Sequence, residues 1–328
     1  MTAEQTEIIF RGKPYKVPSI RVNERTVVVT GRWLKTASIH EELILDGEPV
    51  DNPERFIQAI REARLGADIF SFGQKMTDGQ PKHRYQFEWD NAAAIPITSY
   101  EDWFKNHTAM DVRQNVRKSA KRGVTARSVP FDDAFVRGIV EVFNEDPLRQ
   151  GRTFWHYGKD FDTVKKEMGH CLERSEFIGA YVGDELIGLI KLLYTGNIAG
   201  IVINVSKHKH FEKRAPNALI AKAIEVSQQR GMAYLTYAKF AYGKKAKSSL
   251  SDFKRHHGFE PMQFPRYYIP LTLKGHLAVK LRLYRGWQEI VPERLQHVIL
   301  TLRSAAYKGV LQPLKLARKP GQQKQAQA

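Results

Sequence analysis

The sequence is poor in cysteine and has no long apolar run. Cys171 is the single cysteine among 328 residues, which excludes an internal disulfide and any zinc site built from several cysteines. No apolar run approaches the roughly 18 residues that a membrane-spanning helix needs. The opening residues, MTAEQTEIIF, lack the apolar core of a secretory signal peptide. We therefore expect a soluble protein of a reducing, cytoplasmic compartment.

Acidic residues are scarce relative to basic ones. The chain has 52 Lys and Arg against 35 Asp and Glu, and its formal net charge is +17. Eleven of those cations, and only two of the acids, lie from Lys274 to the end of the chain. A field of this sign attracts nucleic acid, anionic lipid or phosphate-bearing small molecules. We expect the substrate or partner to belong to one of these three classes.

Apolar segments separated by tight turns predict an antiparallel sheet in the second half of the chain. Turns around Gly183 and Gly196 separate the first three predicted strands. A basic loop, 206–215, leads to Pro216, which fits the first turn of a helix that Gly231 ends. The predicted strands are 177–182, 186–194, 198–205 and 233–237.

Other segments predict further strands and helices. The residues at 25–30 predict a strand, and Asn52 with Pro53 predicts the start of a helix. The stretch 264–271, bounded by prolines, predicts an edge or closing strand. A helix predicted at 108–122 carries a row of cations, which is either a solvated face or a surface for phosphates. The cations four apart in that row are Arg113, Arg117 and Lys121.

Three local sequences add to this order of elements. They are GDELIG at 183–188, APNALI at 215–220 and FKRHHGFE at 253–260. Together with the strand order, they resemble the GNAT acyltransferase superfamily, and within it the FemAB-like branch, whose members are often double-GNAT proteins. The resemblance implies an α/β (α+β) fold with a mixed, largely antiparallel sheet flanked by helices, in two related halves.

The resemblance divides the chain into four regions. An N-terminal α/β half, 1–107, takes the place of a degenerate GNAT-like unit, and 108–272 is the GNAT-like acyltransferase half. A basic helical segment follows at 273–319, with a helix expected from Pro292. The composition of 320–328 predicts a disordered tail.

The resemblance also implies where an acyl donor binds. In GNAT enzymes the loop after the third core strand, with the helix that follows, holds the pyrophosphate of acyl-CoA, because free N–H groups and the helix dipole favour anions there. The corresponding residues here are Lys213, Arg214, Ala215, Asn217 and Ala218. The loop has no glycine, so its backbone is less free to close on a phosphate. Acetyl-CoA or another acyl-CoA is the expected donor. The alternative is aminoacyl-tRNA, which some FemAB-like proteins use. No metal is expected.

Acyl transfer needs a base for the nucleophile and hydrogen-bond donors for the oxyanion. The connection 145–160 is rich in aromatic and basic side chains, unlike an ordinary loop. Glu145, His156 and Tyr157 are therefore the candidate catalytic residues, with His156 suited to act as a base and Tyr157 to protonate a leaving thiolate. The alternative is that the aromatic side chains pack as a hydrophobic lid. The next candidates are Glu141 and Tyr237.

Three functions fit these features. The first is an acyltransferase that uses acyl-CoA and an amine or hydroxyl acceptor, by analogy a small-molecule, cell-envelope or polysaccharide precursor. The second is a FemAB-like transferase that takes an aminoacyl group from tRNA, which the net charge favours. The third is a non-catalytic protein that binds nucleic acid or an anionic membrane. The basic C-terminal segment predicts peripheral contact with the inner face of the membrane.

Overall fold

The computed structural model describes residues 2–10, 13–149, 152–241 and 249–285. Three predicted features lie outside the described residues. They are the helix from Pro292, the part of the basic segment beyond residue 285, and the tail.

The first half of the chain is mostly strand. Its main elements are β1 (Glu4–Phe10), β2 (Lys13–Val22), β3 (Arg25–Thr30), β4 (Thr36–Ile39), α1 (Pro53–Glu62), β5 (Ile69–Gly73) and β6 (Phe87–Pro96). The helix α1 begins where the sequence predicts, because the Asn52 side chain accepts the N–H of Arg55 and Pro53 fills the first turn. Strand β5 returns parallel to β4, so β4, α1 and β5 form a β-α-β unit.

The second half begins with a short helix that leads into a π-helical turn at Trp103–His107. The elements from there on are α2 (Tyr100–Asp102), α3 (Met110–Lys121), β7 (Val124–Val129), α4 (Asp133–Phe143), β8 (Leu148–Arg149), β9 (Arg152–Thr153), α5 (Phe161–Met168), β10 (Ser175–Val182), β11 (Glu185–Thr195), β12 (Ile198–Ser206), α6 (Ala215–Gln229), β13 (Tyr234–Thr236), α7 (Ser249–His256), β14 (Glu260–Pro270) and α8 (Leu273–Lys280). Strands β10, β11 and β12 are antiparallel neighbours, and β13 lies parallel to β12 after α6. The predicted order of strands, loop, helix and strand is confirmed.

The two halves exchange their last strands. Within the described ranges, twelve strands form one sheet in the order β1-β2-β3-β4-β5-β14-β6-β13-β12-β11-β10-β7. Strand β14 of the second half lies beside β5, and β6 of the first half lies beside β13. Strands β6 and β14 pair with each other at the centre, so the units β4-α1-β5 and β12-α6-β13 occupy matching positions on either side. The mixed, largely antiparallel sheet in two related halves is confirmed, whereas the predicted domain boundaries stay a prediction.

Strand β14 is central, so of the two alternatives predicted for 264–271, an edge or a closing strand, the edge strand is wrong. The N–H of Tyr268 donates to the carbonyl of Gln86, on the side of β6. Because successive residues of a strand point their backbone N–H groups to opposite sides, the backbone nitrogens of Pro261 and Pro265 face β5 instead. Pairing with β5 starts only at Arg266, so neither proline removes a ladder hydrogen bond. The strand therefore tolerates its prolines in the middle of the sheet.

Helices cover both faces of the second half. Helix α6 is buried over most of its length against β10 to β13, together with Trp103 from the π-helical turn. Helices α4 and α5 cover the opposite face, where Ile139 and Val164 are fully buried. Helix α3 packs on α6, with Val116 against the same core, and exposes Arg117 and Lys121 of its predicted cation row to solvent. The sheet between these layers holds the candidate site.

Candidate active site

A gap opens in the sheet between β12 and β13. The two parallel strands pair only at Ile198 to Gly200. Strand β12 continues to Ser206, whereas the chain after Thr236 turns away and bonds to Ala93 of β6. From Ile201 onwards β12 has a strand neighbour on one side only, β11, among the described residues. Backbone N–H and C=O groups on its other side are therefore available to an extended ligand.

A β-bulge marks the point where the gap opens. Lys191 of β11 pairs with Ile203, and the next residue, Leu192, pairs with Ile201, so Val202 stands opposite no residue. The Val202 side chain is 57% exposed although it lies in a central strand. Bulges of this kind often adjoin active sites, because they turn backbone groups out of the ladder.

The basic loop after β12 is held by carboxylates from two other connections. Glu145 accepts the N–H groups of His208 and Lys209, at 2.5 and 2.7 Å. Glu185 binds Lys207 at 2.8 Å and Lys209 at 2.7 Å, and the hydrogen bonds from these two ammonium groups lower the pKa of Glu185 to about 2. The first part of this loop is thus neutralised and fixed in place.

The last part of the loop keeps its charge. Within the described ranges, neither Lys213 nor Arg214 has an acidic partner, and no side chain caps the N-terminus of α6. Arg214 lies in the left-handed region, with φ at 62°, and its guanidinium stacks 4.7 Å from the ring centre of Phe211. The predicted donor-binding residues at the start of the helix, Ala215, Asn217 and Ala218, are buried in its first turns. Arg214 and Lys213 thus flank a helix N-terminus that favours an anion.

A buried lysine lies at the other wall of the gap. Lys254 of α7 is fully buried, and its Nζ donates to the carbonyl oxygen of Lys239 at 2.7 Å. The same ammonium lies 4.6 Å from the ring centre of Tyr237, the residue that follows β13. Burial lowers the pKa of Lys254 to about 8. At neutral pH this places a positive charge beside the end of β13, where the gap opens.

An ionic network fixes this wall to the first half of the chain. Asp90 of β6 binds the Lys239 ammonium at 2.8 Å and the Arg266 guanidinium at 2.9 Å. Arg266 also binds Glu42 at 2.7 Å. Burial disfavours the charge of Arg266, but Glu42 and Asp90 outweigh it and raise its pKa. The segment after β13 is therefore held by a pair of carboxylates from the first half.

The aromatic connection 145–160 contacts the end of β12. Arg149 donates to the Ser206 carbonyl at 2.7 Å. His156 is buried, with its ring centre 4.4 Å from that of Phe143 and 4.1 Å from that of Trp155. Burial, and then the charges of Lys159 and Arg149, lower the pKa of His156 to about 3. This packing favours the lid interpretation for His156.

The three predicted catalytic residues are not brought together around one point. Both oxygens of Glu145 accept backbone N–H groups of the basic loop, whereas His156 faces the aromatic cluster. Tyr157 is 46% exposed, and its backbone N–H donates to Phe154. Their catalytic roles stay predictions. Lys213 and Arg214 lie directly before the N-terminus of α6, and the donor-binding role predicted for them stays a prediction as well.

Sequence reasoning missed two features of the gap. The bulge at Val202 leaves no signal in an apolar run, because every residue around it suits a strand. Lys254 lies in the FKRHHGFE segment that carried the resemblance, but its burial depends on the packing of α7 against the end of β13. The signal in the sequence was that Lys254 lies in an amphipathic segment between two apolar residues, Phe253 and Phe259, which indicates that this lysine can be buried.

The matching gap of the first half is closed. Glu42, from the connection between β4 and α1, accepts the N–H of Gly73 at 2.5 Å. Glu48, from the same connection, accepts the N–H of Lys75 at 3.0 Å and binds the Lys82 ammonium. Carboxylates of the chain itself thus occupy the backbone donors at the end of β5.

Two further observations concern the described residues only. No cluster of three or more His, Cys, Asp or Glu side chains is arranged to hold a metal ion there. None of the helices in the described ranges is long and apolar enough to cross a bilayer.

No protein-family model matches the chain, and neither does any curated protein. Solved structures do match. FemX has a TM-score of 0.53 at 11% identity, over 84% of this chain and 89% of its own. The C-terminal domain of a protein described as a lysylphosphatidylglycerol synthetase, from Agrobacterium fabrum, has a TM-score of 0.51 at 12% identity, over 80% of this chain and 86% of its own.

These likenesses define the fold. Both proteins are GNAT-fold proteins, and each covers the two exchanged halves of this chain rather than one of them. The chain therefore has the GNAT fold in its double form. The resemblance to the FemAB-like branch that the sequence suggested is confirmed at the level of the fold.

Proposed function

We propose that the chain is a transferase that moves an acyl or aminoacyl group from a phosphate-bearing donor to an amine or hydroxyl. The observation that carries the proposal is the gap between β12 and β13. An open strand edge, an uncapped helix N-terminus and a buried ammonium meet around it. The first suits an extended linker, the second a phosphate and the third a developing negative charge.

In this proposal the phosphates of the donor lie at the start of α6, near Lys213 and Arg214. The extended arm of the donor follows the free edge of β12 and brings its carbonyl to the bulge at Val202. The acceptor nucleophile attacks that carbonyl carbon, and negative charge moves to the carbonyl oxygen. Backbone N–H groups at the bulge and the Lys254 ammonium stabilise this charge. When the intermediate collapses, the bond to the donor breaks and the donor leaves with the electron pair.

Acyl-CoA is the first candidate for the donor. Its pyrophosphate needs strong cationic partners, which Lys213, Arg214 and the positive end of the α6 dipole supply. In this proposal the proton of the acceptor passes to water or to a side chain of the 145–160 connection, and the CoA thiolate is protonated as it leaves. Glu145, His156 and Tyr157 are the residues proposed for these proton transfers.

Aminoacyl-tRNA is the second candidate, and a row of cations on α3 favours it. Arg122, at the end of α3, donates to the Glu212 carbonyl, and Lys213 donates to the Arg122 carbonyl at 3.2 Å, so the row adjoins the α6 N-terminus. No acidic residue in the described part of the chain pairs with any cation of this row. Its members are Arg113, Arg117, Lys118, Lys121 and Arg122. One CoA does not need so many charges, whereas an RNA backbone does. A lysylphosphatidylglycerol synthetase, by its name, also makes an aminoacyl product.

Titration of the full chain with acetyl-CoA, longer acyl-CoAs and bulk tRNA separates the two donors. If acyl-CoA is the donor, calorimetry detects its binding, and CoA thiol is released when amine or hydroxyl acceptors are added. If tRNA is the donor, the affinity for RNA falls steeply with salt, and replacing Lys118 and Lys121 by Gln reduces that slope. Binding of neither donor, under conditions where the chain is folded, would contradict the transferase proposal.

A further inference from the structure

Helix α8 presents leucines to solvent on the side where a surface helix normally carries polar residues. Its buried side is formed by Gly275, Ala278 and Val279. On the outer side Leu273 is 90% exposed and Leu277 is 56% exposed, with Leu281 at 57% just beyond the helix. The spacing of four places these leucines in one stripe along the helix. Because burying apolar area is the main favourable term in folding, such a stripe indicates a contact outside the described fold.

The orientation of α8 is fixed by its attachment to the first half of the chain. The Thr272 side chain caps the helix by accepting the N–H of Gly275, and it donates to Asp68 at 3.0 Å. A Cβ on Gly275 would lie 1.9 Å from the Asp68 carbonyl oxygen, so the helix is held against the backbone that precedes β5. The exposed stripe is therefore a fixed surface and not the product of a loosely attached helix.

A tryptophan extends this surface. Trp33, in the turn between β3 and β4, is 63% exposed. Lys274 of α8 donates to the Trp33 carbonyl and lies 5.2 Å from the centre of its ring. The α8 surface is defined here as Trp33 with Leu273, Leu277 and Leu281. Tryptophan and leucine beside cations are the residues that enter the boundary between lipid headgroups and acyl chains.

The charge around the α8 surface is mostly positive. The segments 31–35 and 272–282 contain five cations and no Asp or Glu. These cations are Arg32, Lys35, Lys274, Lys280 and Arg282. Of the acids beside them, Asp68 is largely buried and is bound by Lys274 at 3.0 Å, and Glu88 is bound by Arg285 at 2.6 Å. The rim of the apolar surface is thus positive, which complements an anionic surface.

A groove borders the same helix. It has a volume of about 570 Å³ and is lined by Tyr85, Gln86, Tyr268, Pro270, His276, Leu277, Val279 and Lys280. Leu277 therefore belongs to both the stripe and the groove. Apolar side chains continue from the outer face of α8 into this groove, which gives the surface depth as well as area.

We propose that the α8 surface binds the headgroup region of an anionic lipid bilayer, with the leucines and Trp33 inserted and the five cations against the lipid phosphates. This contact is separate from the transferase proposal, because α8 packs on β5 and β14, in the first half of the fold. An anionic bilayer is favoured over a protein partner because cations outnumber acids on the rim and the apolar residues lie in one exposed stripe.

Co-sedimentation of the full chain with vesicles tests the proposal. The vesicles are pure phosphatidylcholine or a mixture of phosphatidylcholine and phosphatidylglycerol. We expect binding to the anionic vesicles that weakens with salt. Replacing Leu273 and Leu277 together by Gln should weaken it roughly tenfold or more, because two inserted side chains are lost. The matched control is Leu172→Gln, at a residue that is 44% exposed in the other half and should leave vesicle binding unchanged.

A second variant leaves the leucines in place. Lys280→Glu reverses one charge on the outer side of α8. It should weaken binding to anionic vesicles relative to both the unmodified chain and the Leu172→Gln control. Fluorescence gives a third readout, since Trp33→Phe should remove most of the blue shift caused by vesicles, whereas Trp89→Phe should not. Trp89 is the matched residue because it is 51% exposed on β6.

Three results would overturn the proposal. The first is absence of binding by the unmodified chain, which would leave a protein as the partner. The second is unchanged binding by the Leu273 and Leu277 double variant. The third is unchanged binding accompanied by a lower free energy of unfolding of that variant, which would indicate that the chain's own C-terminal residues cover the stripe.

Discussion

Two matching connections of the molecule have opposite charge and opposite consequences. The connection 40–52, before α1, has five acids and no Lys or Arg, whereas 207–214, before α6, has four cations and one acid. In the first, Glu42 and Glu48 accept the free N–H groups at the end of β5 and close the gap. In the second, the free edge of β12 and the N-terminus of α6 stay open. The acidic connection thus belongs to the half whose gap is closed, and the basic connection to the half whose gap is open.

The acidic connection also joins the two halves. Asp46 accepts the N–H of Gly196, in the turn between β11 and β12, at 2.8 Å, and Glu41 lies 2.8 Å from His170. Glu42 reaches Arg266, which Asp90 couples to Lys239 at the wall of the candidate site. The acidic connection that closes the gap of the first half therefore also holds one wall of the open gap of the second half in place.

Removal of the Lys254 charge should have the largest effect. In Lys254→Met the side chain keeps its length, but the oxyanion loses its ammonium, so turnover should fall by about 10²–10³-fold. The matched control is Lys191→Met. Lys191 is also buried, with a pKa that burial lowers to about 8, but its ammonium binds the Met168 and His170 carbonyls away from the gap. Steady-state kinetics on both variants would contradict the assignment if Lys191→Met lost as much turnover.

The pH dependence of turnover should follow the same ammonium. Burial places the pKa of Lys254 at about 8, below its ordinary value of 10.5, so the charge that stabilises the oxyanion is lost as the pH rises through 8. Stability should change in the opposite direction. The folded protein binds fewer protons than the unfolded chain between these two values, so this group raises the free energy of unfolding as pH increases across that window. Over one pH series, turnover should fall above pH 8 while the free energy of unfolding, measured with denaturant, rises. If both fell together, the loss of turnover would be due to unfolding.

Neutralisation of the acidic connection should destabilise the fold without affecting the donor. Glu42→Gln removes a charged partner from Arg266 and weakens the bond to Gly73, so the free energy of unfolding should fall by about 1.5–3 kcal/mol. Denaturant unfolding measures this loss, and calorimetry should find one donor site per chain with unchanged affinity. A second donor site in this variant would show that the first gap is only masked and not degenerate.

Loss of the Arg214 charge should have the converse effect. Arg214→Ala removes one of the two cations directly before α6, neither of which has an acidic partner in the described part of the chain, so donor affinity should weaken by about 1–3 kcal/mol with little change in stability. Lys209→Ala is the matched control in the same loop, because Glu185 already neutralises Lys209. Equal losses of affinity in the two variants would indicate general attraction by the loop and not a site at α6.

The sequence predicted the second half of the fold better than the first. Its signals are local: the turns at Gly183 and Gly196, and the change from the strand period to the helix period at Pro216. The structure has the strands and the helix that these signals predict. The strand exchange has no local signal, because it depends on which distant strand lies beside β6 and β14. Lys213 and Arg214 were visible as part of a charged loop before a helix, but the bulge at Val202 and the burial of Lys254 arise only when distant elements pack. For the same reason the sequence could not distinguish the closed gap from the open one.

Substitution of Tyr157 should have the smallest effect and decides what the aromatic connection does. Its neighbour His156 is packed between Phe143 and Trp155, and a ring nitrogen with a pKa of about 3 is a weak base at neutral pH. His156→Ala should therefore lower the melting temperature, because it leaves a cavity in the cluster. Tyr157 is exposed, so Tyr157→Phe should leave both melting temperature and turnover near those of the unmodified chain if the connection is a lid. A loss of turnover of about 10²–10⁴-fold in Tyr157→Phe, with an unchanged melting temperature, would instead identify its hydroxyl as the acid that protonates the leaving group. Because the connection reaches the end of β12 through Arg149, either result defines what borders the acceptor side of the gap.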